Sequence, residues 1–365
     1  MSRAALSMPW IQRHCSNGVA MIASTERQSL SKPHSSVNRR HVLRAGAAAA
    51  AALIMPRPLM AADRVKINLV NTSGNTNLVL AALLKQEGIF EQLGLDTNIL
   101  HVADGSKLIG SLLSGETDMC ALSGFGQVLP AIEKGAKLKV LAGGALLGLQ
   151  AIMTKKAAIK SVKDLEGRTV GTGSLGALLH QLVVALLRKK GVDEKKVTFV
   201  NVGSSTDVFR AIAAGTVDAG PCEAWLAGRS GTRIVEEARF YDDLPEYTYQ
   251  ASYASERAIG RKRDAIVRTL AAYAKLYRFL SEARSHEAFL KAFAAATGKN
   301  DREEAEAQWQ FYQEHKPFAV NLVLAPERVR YMQDLNVSLG VQKSVLPCER
   351  VCDMSLAQDA VKLLG

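Results

Sequence analysis

The chain predicts an α/β fold built twice over, two similar lobes followed by a helical tail, and three observations carry that prediction. Ser111-Leu-Leu-Ser-Gly-Glu-Thr-Asp118 returns one hundred positions later as Ala211-Ile-Ala-Ala-Gly-Thr-Val-Asp218. The register holds on both sides: His101 to Ser106 lies over Asn201 to Thr206, Phe125 over Trp225, and Asn71-Thr-Ser-Gly74 opposite Gly171-Thr-Gly-Ser174. An ordered series of matches at so long a period marks a repeated lobe rather than a motif. Second, the short apolar runs Val65–Val70 and Arg168–Gly171 each end in a Gly/Ser/Thr/Asn loop and lead into a helical pattern, which is the grammar of parallel α/β sheets. Third, from Glu256 onward the apolar spacing is helical almost throughout.

Taken in order, Val65 to Val70 is the first strand and Asn71-Thr-Ser-Gly-Asn-Thr76 a polar loop before a helix over Leu78–Leu84 that stops at Gly88. Such a loop suits a cradle for an anion or polar ligand, and equally a turn that caps a helix. A second strand reaches Val102, Ser106 caps the helix that ends at Gly115, and Met119–Leu122 is the third strand. Ser123-Gly-Phe-Gly126 follows, with small residues that admit a ligand to backbone N–H groups and Phe125 as a face to stack upon. Lys137 to Gly144 is a fourth strand, and the chain crosses to the second lobe between Ala142 and Thr154. There Gly171-Thr-Gly-Ser-Leu-Gly176 opens the helix Ala177–Lys190, and Ser204-Ser-Thr-Asp207 opens the one ending at Gly215. Pro221-Cys-Glu-Ala-Trp225 stands where Ala121 to Phe125 stands in the first copy, so Trp225 is read as a lid-like apolar ligand contact in preference to a core residue. Tyr249 to Ser255 is the return crossing. Helices are expected over 257–283, 286–297, 301–315 and 326–339, their aromatics serving the core.

Of 365 residues and a formal net charge of +11, residues 1–62 hold eight Lys/Arg against one Glu, so +7 belongs to that segment and +4 to the rest. With no interleaving of aromatic and basic residues, nucleic acid is not an expected partner. Asn38-Arg-Arg-His-Val-Leu-Arg44, the apolar run Ala45–Met55 and Leu59-Met-Ala-Ala62 have the basic, apolar and small-residue parts of an export signal. The pair Arg39-Arg40 resembles a twin-arginine leader, cleaved near Ala61-Ala62, with Met1 or Met21 as the start. Such a leader places the mature protein in the periplasm.

Candidate chemistry is sparse. His101, His180, His286 and His315 show no zinc-ligand spacing, and neither a Gly-x-Ser-x-Gly elbow nor a dinucleotide or Walker loop occurs. No catalytic residue, metal or cofactor is expected. Asp118 and Asp218 sit where a helix-to-strand turn uses Asp for backbone capping. Cys120 and Cys222 read as small buried hydrophobes, while Cys348 and Cys352, four apart, leave open whether they are bridged.

Leu112–Asp118 with Gly135-Ala-Lys-Leu-Lys139, Val162-Lys-Asp-Leu-Glu-Gly-Arg-Thr-Val-Gly171, the helix entry Gly173–His180, and Ala211–Asp218 together resemble the periplasmic substrate-binding proteins of ABC importers. The likeness is to the branch for sulfonates, taurine, nitrate and thiamine-pyrimidine precursors. It implies a type II periplasmic-binding-protein fold, with residues 64–148 plus 253–365 as one lobe, 149–252 as the other, and two crossings between them. It implies a small-molecule ligand, a membrane permease as partner, a monomer and no enzymatic activity; a periplasmic sensor, or an exported enzyme using Cys222 and His180, are the alternatives. By position the ligand contacts fall on Ser73, Gly74, Asn75, Ser123 and Phe125 of the first lobe and on Ser174, Leu175, Gly176, Glu223 and Trp225 of the second. These loops hold no Lys or Arg apart from the neighbouring Arg210 and Arg229, so an anionic group such as a sulfonate or carboxylate would rest on N–H groups and hydroxyls. One helix N-terminus contributes ~0.3–1 kcal/mol to an exposed charge and ~2 kcal/mol when partly buried. Glu223 reads either as a partner for a positive group on the ligand or as a surface charge.

Overall fold

The structure, a computed structural model, describes residues 64–103 and 105–365; the export leader read over residues 1–62 lies outside them. The chain opens with β1 (Val65–Thr72), α1 (Asn75–Gln86), α2 (Ile89–Gln92), β2 (Leu95–Val102), α3 (Gly105–Ser114), β3 (Met119–Ser123), α4 (Val128–Glu133) and β4 (Leu138–Gly143). It then crosses to β5 (Gln150–Thr154), β6 (Thr169–Thr172), α5 (Leu178–Lys189), β7 (Thr198–Asn201), α6 (Ser205–Ala214), β8 (Ala219–Glu223), β9 (Arg233–Arg239) and α7 (Phe240–Asp243). The return passes through β10 (Ala251–Ser255) into α8 (Glu256–Leu280), α9 (His286–Thr297), α10 (Arg302–His315), α11 (Pro326–Ser338), α12 (Cys348–Val351) and α13 (Ser355–Leu363). No helix among the described residues is long and apolar enough to cross a membrane.

Two five-stranded sheets result, ordered β2-β1-β3-β10-β4 and β7-β6-β8-β5-β9. In each, three parallel strands are joined by one antiparallel strand from a crossing: β10 beside β3, and β5 beside β8. The type II periplasmic-binding-protein architecture implied by the family resemblance is the one observed, two lobes with two crossings and a helical C-terminal part. β3, β5, β8 and β10 are buried along their whole length, as central strands covered on both faces must be.

The repeated aspartates set the register of both sheets. Asp118 Oδ2 accepts the Asn68 N–H at 2.8 Å while its own N–H donates to the Asn68 carbonyl at 2.8 Å. Asp218 repeats this on Thr169, with both bonds again at 2.8 Å. Each also meets a lysine, Lys262 at 2.8 Å and Lys156 at 2.6 Å. Ahead of them Gly115 (φ 82°) and Gly215 (φ 76°) end α3 and α6 in the left-handed region that favours glycine.

Several boundaries differ from the expectation. β1 runs on to Thr72 and α1 begins at Asn75, because Gly74 is extended and accepts the Leu78 N–H at the helix start; the polar loop shrinks to Ser73-Gly74. α3 begins at Gly105, so Ser106 lies in its first turn rather than capping it. β5 and β9 had no signal of their own: β5 lacks alternation because it is buried on both faces, and β9 is a charged edge strand. Helices α12 and α13 extend the tail past 340.

Where the lobes join, Gly144 donates to Gln250 O at 3.0 Å and Gln250 to Ala145 O at 2.9 Å. A third segment lies alongside, with Ala319 donating to Gly144 O at 2.8 Å and Leu146 to Pro317 O at 2.7 Å. This approach requires glycine: a Cβ on Gly143 would come within 2.8 Å of the Val323 carbonyl.

Asp218→Asn removes a charge-assisted backbone clamp and is expected to cost about 2 kcal/mol at neutral pH. Lys156 and the Thr169 N–H hold the Asp218 carboxyl below its ordinary range, so its contribution is present above that range and is lost as pH falls through the lowered value. Urea denaturation of the two proteins should therefore converge at low pH. A neutral-pH difference near zero would refute the clamp.

Candidate ligand-binding site

A cavity of ≈ 290 Å³ lies between the two sheets and takes its walls from both lobes. From the first come Ser73 to Asn77 at the start of α1, with Gly124, Gly126 and Gln127 after β3; from the second come Gly173, Ser174, the start of α5, Gly203 to Ser205 and Glu223. Tyr249 and Gln250 of the return crossing close it. The loops at 73–77 and 173–174, matched across the repeat, thus share one hollow.

Two of the helices that end on this cavity are uncapped. α1 starts after Gly74 and α5 after Ala177, and neither residue supplies a side-chain cap, so first-turn N–H groups carry their partial positive charge toward the cavity. α6 differs. Ser204 Oγ accepts the Asp207 N–H and the Asp207 carboxylate returns to the Ser204 backbone, a capping box that places a negative charge there. None of the described lining residues is Lys or Arg.

Glu223 dominates the second-lobe wall. Its side chain ends β8 at 4% exposure. Oε1 accepts the Ser205 hydroxyl at 2.5 Å, while Oε2 is buried with no hydrogen-bond partner among the described residues. Burial pushes the carboxyl up, and the Ser205 hydrogen bond pulls the other way. Next to it Gln150 Nε2 donates to Tyr249 Oη at 2.6 Å, leaving the buried Gln150 Oε1 unpartnered. Gln250 Oε1, on the cavity wall, is also buried and unpartnered. Asn77 Nδ2 is engaged by the Thr72 carbonyl and hydroxyl at 3.0 Å each. These side chains offer acceptors to the cavity, and the starts of α1 and α5 offer backbone donors.

Of the ten positions carried over from the family likeness, Ser73, Gly74, Asn75, Ser174 and Glu223 line the cavity and the other five do not. Ser123 is fully buried, its hydroxyl accepting the Thr72 N–H at 2.9 Å as a brace between β1 and β3. Phe125 is 0% exposed, because the turn closed by the Val128 N–H on the Phe125 carbonyl sends the ring inward. Its neighbours face the other lobe instead: a Cβ on Gly124 would press on Leu178, and one on Gly126 would overlap Gln181. Leu175 is 69% exposed, and Gly176 donates its N–H to His180 Nδ1 at 3.1 Å, which holds the loop tip away. Trp225 packs edge-on against Phe311 at 5.5 Å and Tyr312 at 6.0 Å, so it ties the second lobe to α10. Glu223 is not a surface charge. Sequence reasoning missed Ser205, read only as part of a helix start, and Tyr249 and Gln250, read only as a crossing.

The tail helices grip both lobes. Arg229 pairs with Asp301 at 2.5 Å and Glu304 at 3.2 Å on α10. On α11, Asn336 accepts from Gln181 at 2.7 Å and donates to the Gly126 carbonyl at 2.8 Å.

Cys222, His180 and Cys120 lie off the cavity. Burial pushes both thiols up, Cys120 to about 12, and lowers His180 below its usual range. The Cys222–His180 pair is not assembled as a nucleophile and base. No group of three His, Cys, Asp or Glu among the described residues could hold a metal ion.

A family model described as NMT1/THI5 like matches residues 75–283, more than half of the chain. The chain belongs to that family. No curated protein matches it in sequence. Among solved structures, this NMT1/THI5-like chain is similar to the alkanesulfonate-binding protein SsuA from Xanthomonas axonopodis pv. citri bound to MOPS, at 20% identity and TM-score 0.63, over 82% of this chain and 99% of that one. The periplasmic aliphatic sulphonate binding protein SsuA from Escherichia coli matches at 18% identity and TM-score 0.63, over 79% and 92%. The desulfurization enzyme DSZB matches at 15% identity and TM-score 0.60, over 83% and 100%. Binding proteins and an enzyme thus share the frame, and a frame by itself assigns no chemistry.

Glu223→Gln should stabilise the ligand-free protein at neutral pH. A carboxyl raised by burial binds its proton more tightly folded than unfolded, so its contribution to stability falls as pH rises above the ordinary Glu range. Gln keeps the Ser205 contact without the charge. A rise in Tm of about 1–2 °C, as ~1 kcal/mol gives at ~2.1 cal/mol/K per residue in a chain of this size, is expected by calorimetry at pH 7. An unchanged or lower Tm would mean that the carboxylate is solvated.

Proposed function

We propose that this chain is an exported solute-binding protein that closes its two lobes on a small zwitterionic ligand and delivers it to an ABC import permease. The observation that carries the reading is the unpartnered, buried Oε2 of Glu223 on the wall of the cavity that the uncapped starts of α1 and α5 also line. A buried carboxylate with one free oxygen calls for a donor of positive charge, and helix N-termini call for negative charge. A ligand carrying an ammonium group at one end and a carboxylate or sulfonate at the other answers both. The volume sits at the lower limit of the ~300–1,000 Å³ of small-molecule pockets.

Family membership supports the transport role, and the likeness to two sulfonate-binding proteins is consistent with it. On this reading residues 64–148 plus 253–365 move as one lobe and 149–252 as the other, and the protein works in the periplasm as a monomer after loss of its leader. Ser73, Gly74, Asn75 and Ser174 hold the anionic end through backbone N–H groups and hydroxyls, and Glu223 holds the cationic end. Ligand contacts that exist only when the lobes meet shift the population toward the closed form.

Matched probes test the charge logic. Taurine and ethanesulfonate differ by one amine, as do glycine and acetate. Thermal shift and calorimetry should register the amine-bearing member of a pair and not its partner, since ligand at 100 times its Kd adds ~2.7 kcal/mol. Glu223→Gln should abolish the difference. Equal responses within every pair would sink the zwitterion reading, and recovery of chemically altered probe would turn the assignment toward an enzyme.

A further inference from the structure

Away from the ligand cavity, the last segment of the chain returns to the first sheet. β4 is an edge strand of that sheet, and edges left open invite pairing with other chains. Here Val140 makes a parallel bridge with Cys352, and the Asp353 N–H donates to the Val140 carbonyl at 2.9 Å. Lys139 Nζ donates to the Glu349 and Arg350 carbonyls, both at 2.8 Å. Beyond it, α13 is held to α8 by the Arg263–Asp359 pair at 2.8 Å.

Within this arm the two cysteines are placed by a single helical turn. The Cys352 N–H donates to the Cys348 carbonyl at 2.7 Å, a closure that keeps the two α-carbons about 6 Å apart, inside the ~4.4–6.8 Å a disulfide spans. Cys352 has left the helix with φ −122° and ψ 153°, so its side chain is not confined to the helical direction that keeps i and i+4 side chains parallel. The two thiols differ in exposure: Cys348 is half-buried and Cys352 buried. Cys120 and Cys222 are buried elsewhere, in β3 and β8, so among the described residues each of this pair has no other cysteine as a partner.

We propose that Cys348 and Cys352 are an oxidisable pair whose disulfide locks the single turn by which the C-terminal arm meets the β4 edge. Cys348, the accessible thiol, loses its proton and attacks an external disulfide, releasing one external thiol that takes up a proton. Cys352 then loses its proton and attacks the Cys348 sulfur of the mixed disulfide, releasing the second external thiol. Two protein thiols are oxidised, one external disulfide is reduced to two thiols, and no other reactant is needed.

The test uses the full folded chain with oxidised glutathione as the external disulfide, followed by acid quenching, alkylation, digestion and mass spectrometry. The peptide holding both cysteines should be recovered unalkylated and two hydrogen masses lighter than the dithiol, with Cys120 and Cys222 still alkylated after denaturation. Cys352→Ser should stop at a glutathione adduct on Cys348, whereas Cys348→Ser should yield no adduct on Cys352 in the folded state. A wild-type peptide that stays fully alkylated, or that ends as a stable glutathione adduct, would overturn the proposal.

Discussion

The structure depends on one interaction made twice, an aspartate that ties the start of a third strand back to the first. Asp118 on Asn68 and Asp218 on Thr169 make the same pair of 2.8 Å backbone contacts. A slip of one residue would turn every side chain of a strand to the opposite face. With the register locked, β1 and β3 end together in one lobe, as do β6 and β8 in the other. Their loops, and the helix starts that follow, then converge on a single hollow. The charge of each Asp is consumed in this clamp and in its lysine partner, so the paired carboxylates of the repeat are structural rather than catalytic.

That duplication is also what made most of the fold legible. Matches at a constant offset, Gly115 with Gly215 and Asp118 with Asp218, locate equivalent turns without any knowledge of packing, and the 3.6-residue spacing of the tail predicts α8 to α11 closely. Elements buried on every side were harder. β5 has no alternation to betray it, and β9 lies at a sheet edge with charges that resemble a loop. The arm after 340 is short, and its two helices are held chiefly by contacts with distant residues such as Lys139 and Arg263.

The site was legible only in part, for a physical reason. Equivalence by position says which loop reaches the cavity and not which way a side chain turns within it. In Ser123-Gly-Phe-Gly126 the large ring gains more by entering the core, so Phe125 goes inward and the two glycines meet α5. Its counterpart Trp225 is also drawn off the cavity, by the aromatic face of α10. Glu223 shows the reverse case. Local sequence leaves a lone Glu open between surface charge and ligand partner, and its burial becomes visible only once β8 is seen as a central strand.

The balance between open and closed lobes follows from these placements. The contacts that bridge the lobes through the tail are modest: the Arg229 pairs are partly exposed and worth ~0–1 kcal/mol each, and the Gln181–Asn336–Gly126 chain adds ~1 kcal/mol per hydrogen bond. Within the second lobe, burying Glu223 with one oxygen unanswered costs on the order of 1–3 kcal/mol or more for a charged group. On the proposed reading, a ligand ammonium group removes that cost outright instead of merely adding a contact. The differential affinity that couples binding to closure then resides chiefly in one carboxylate oxygen.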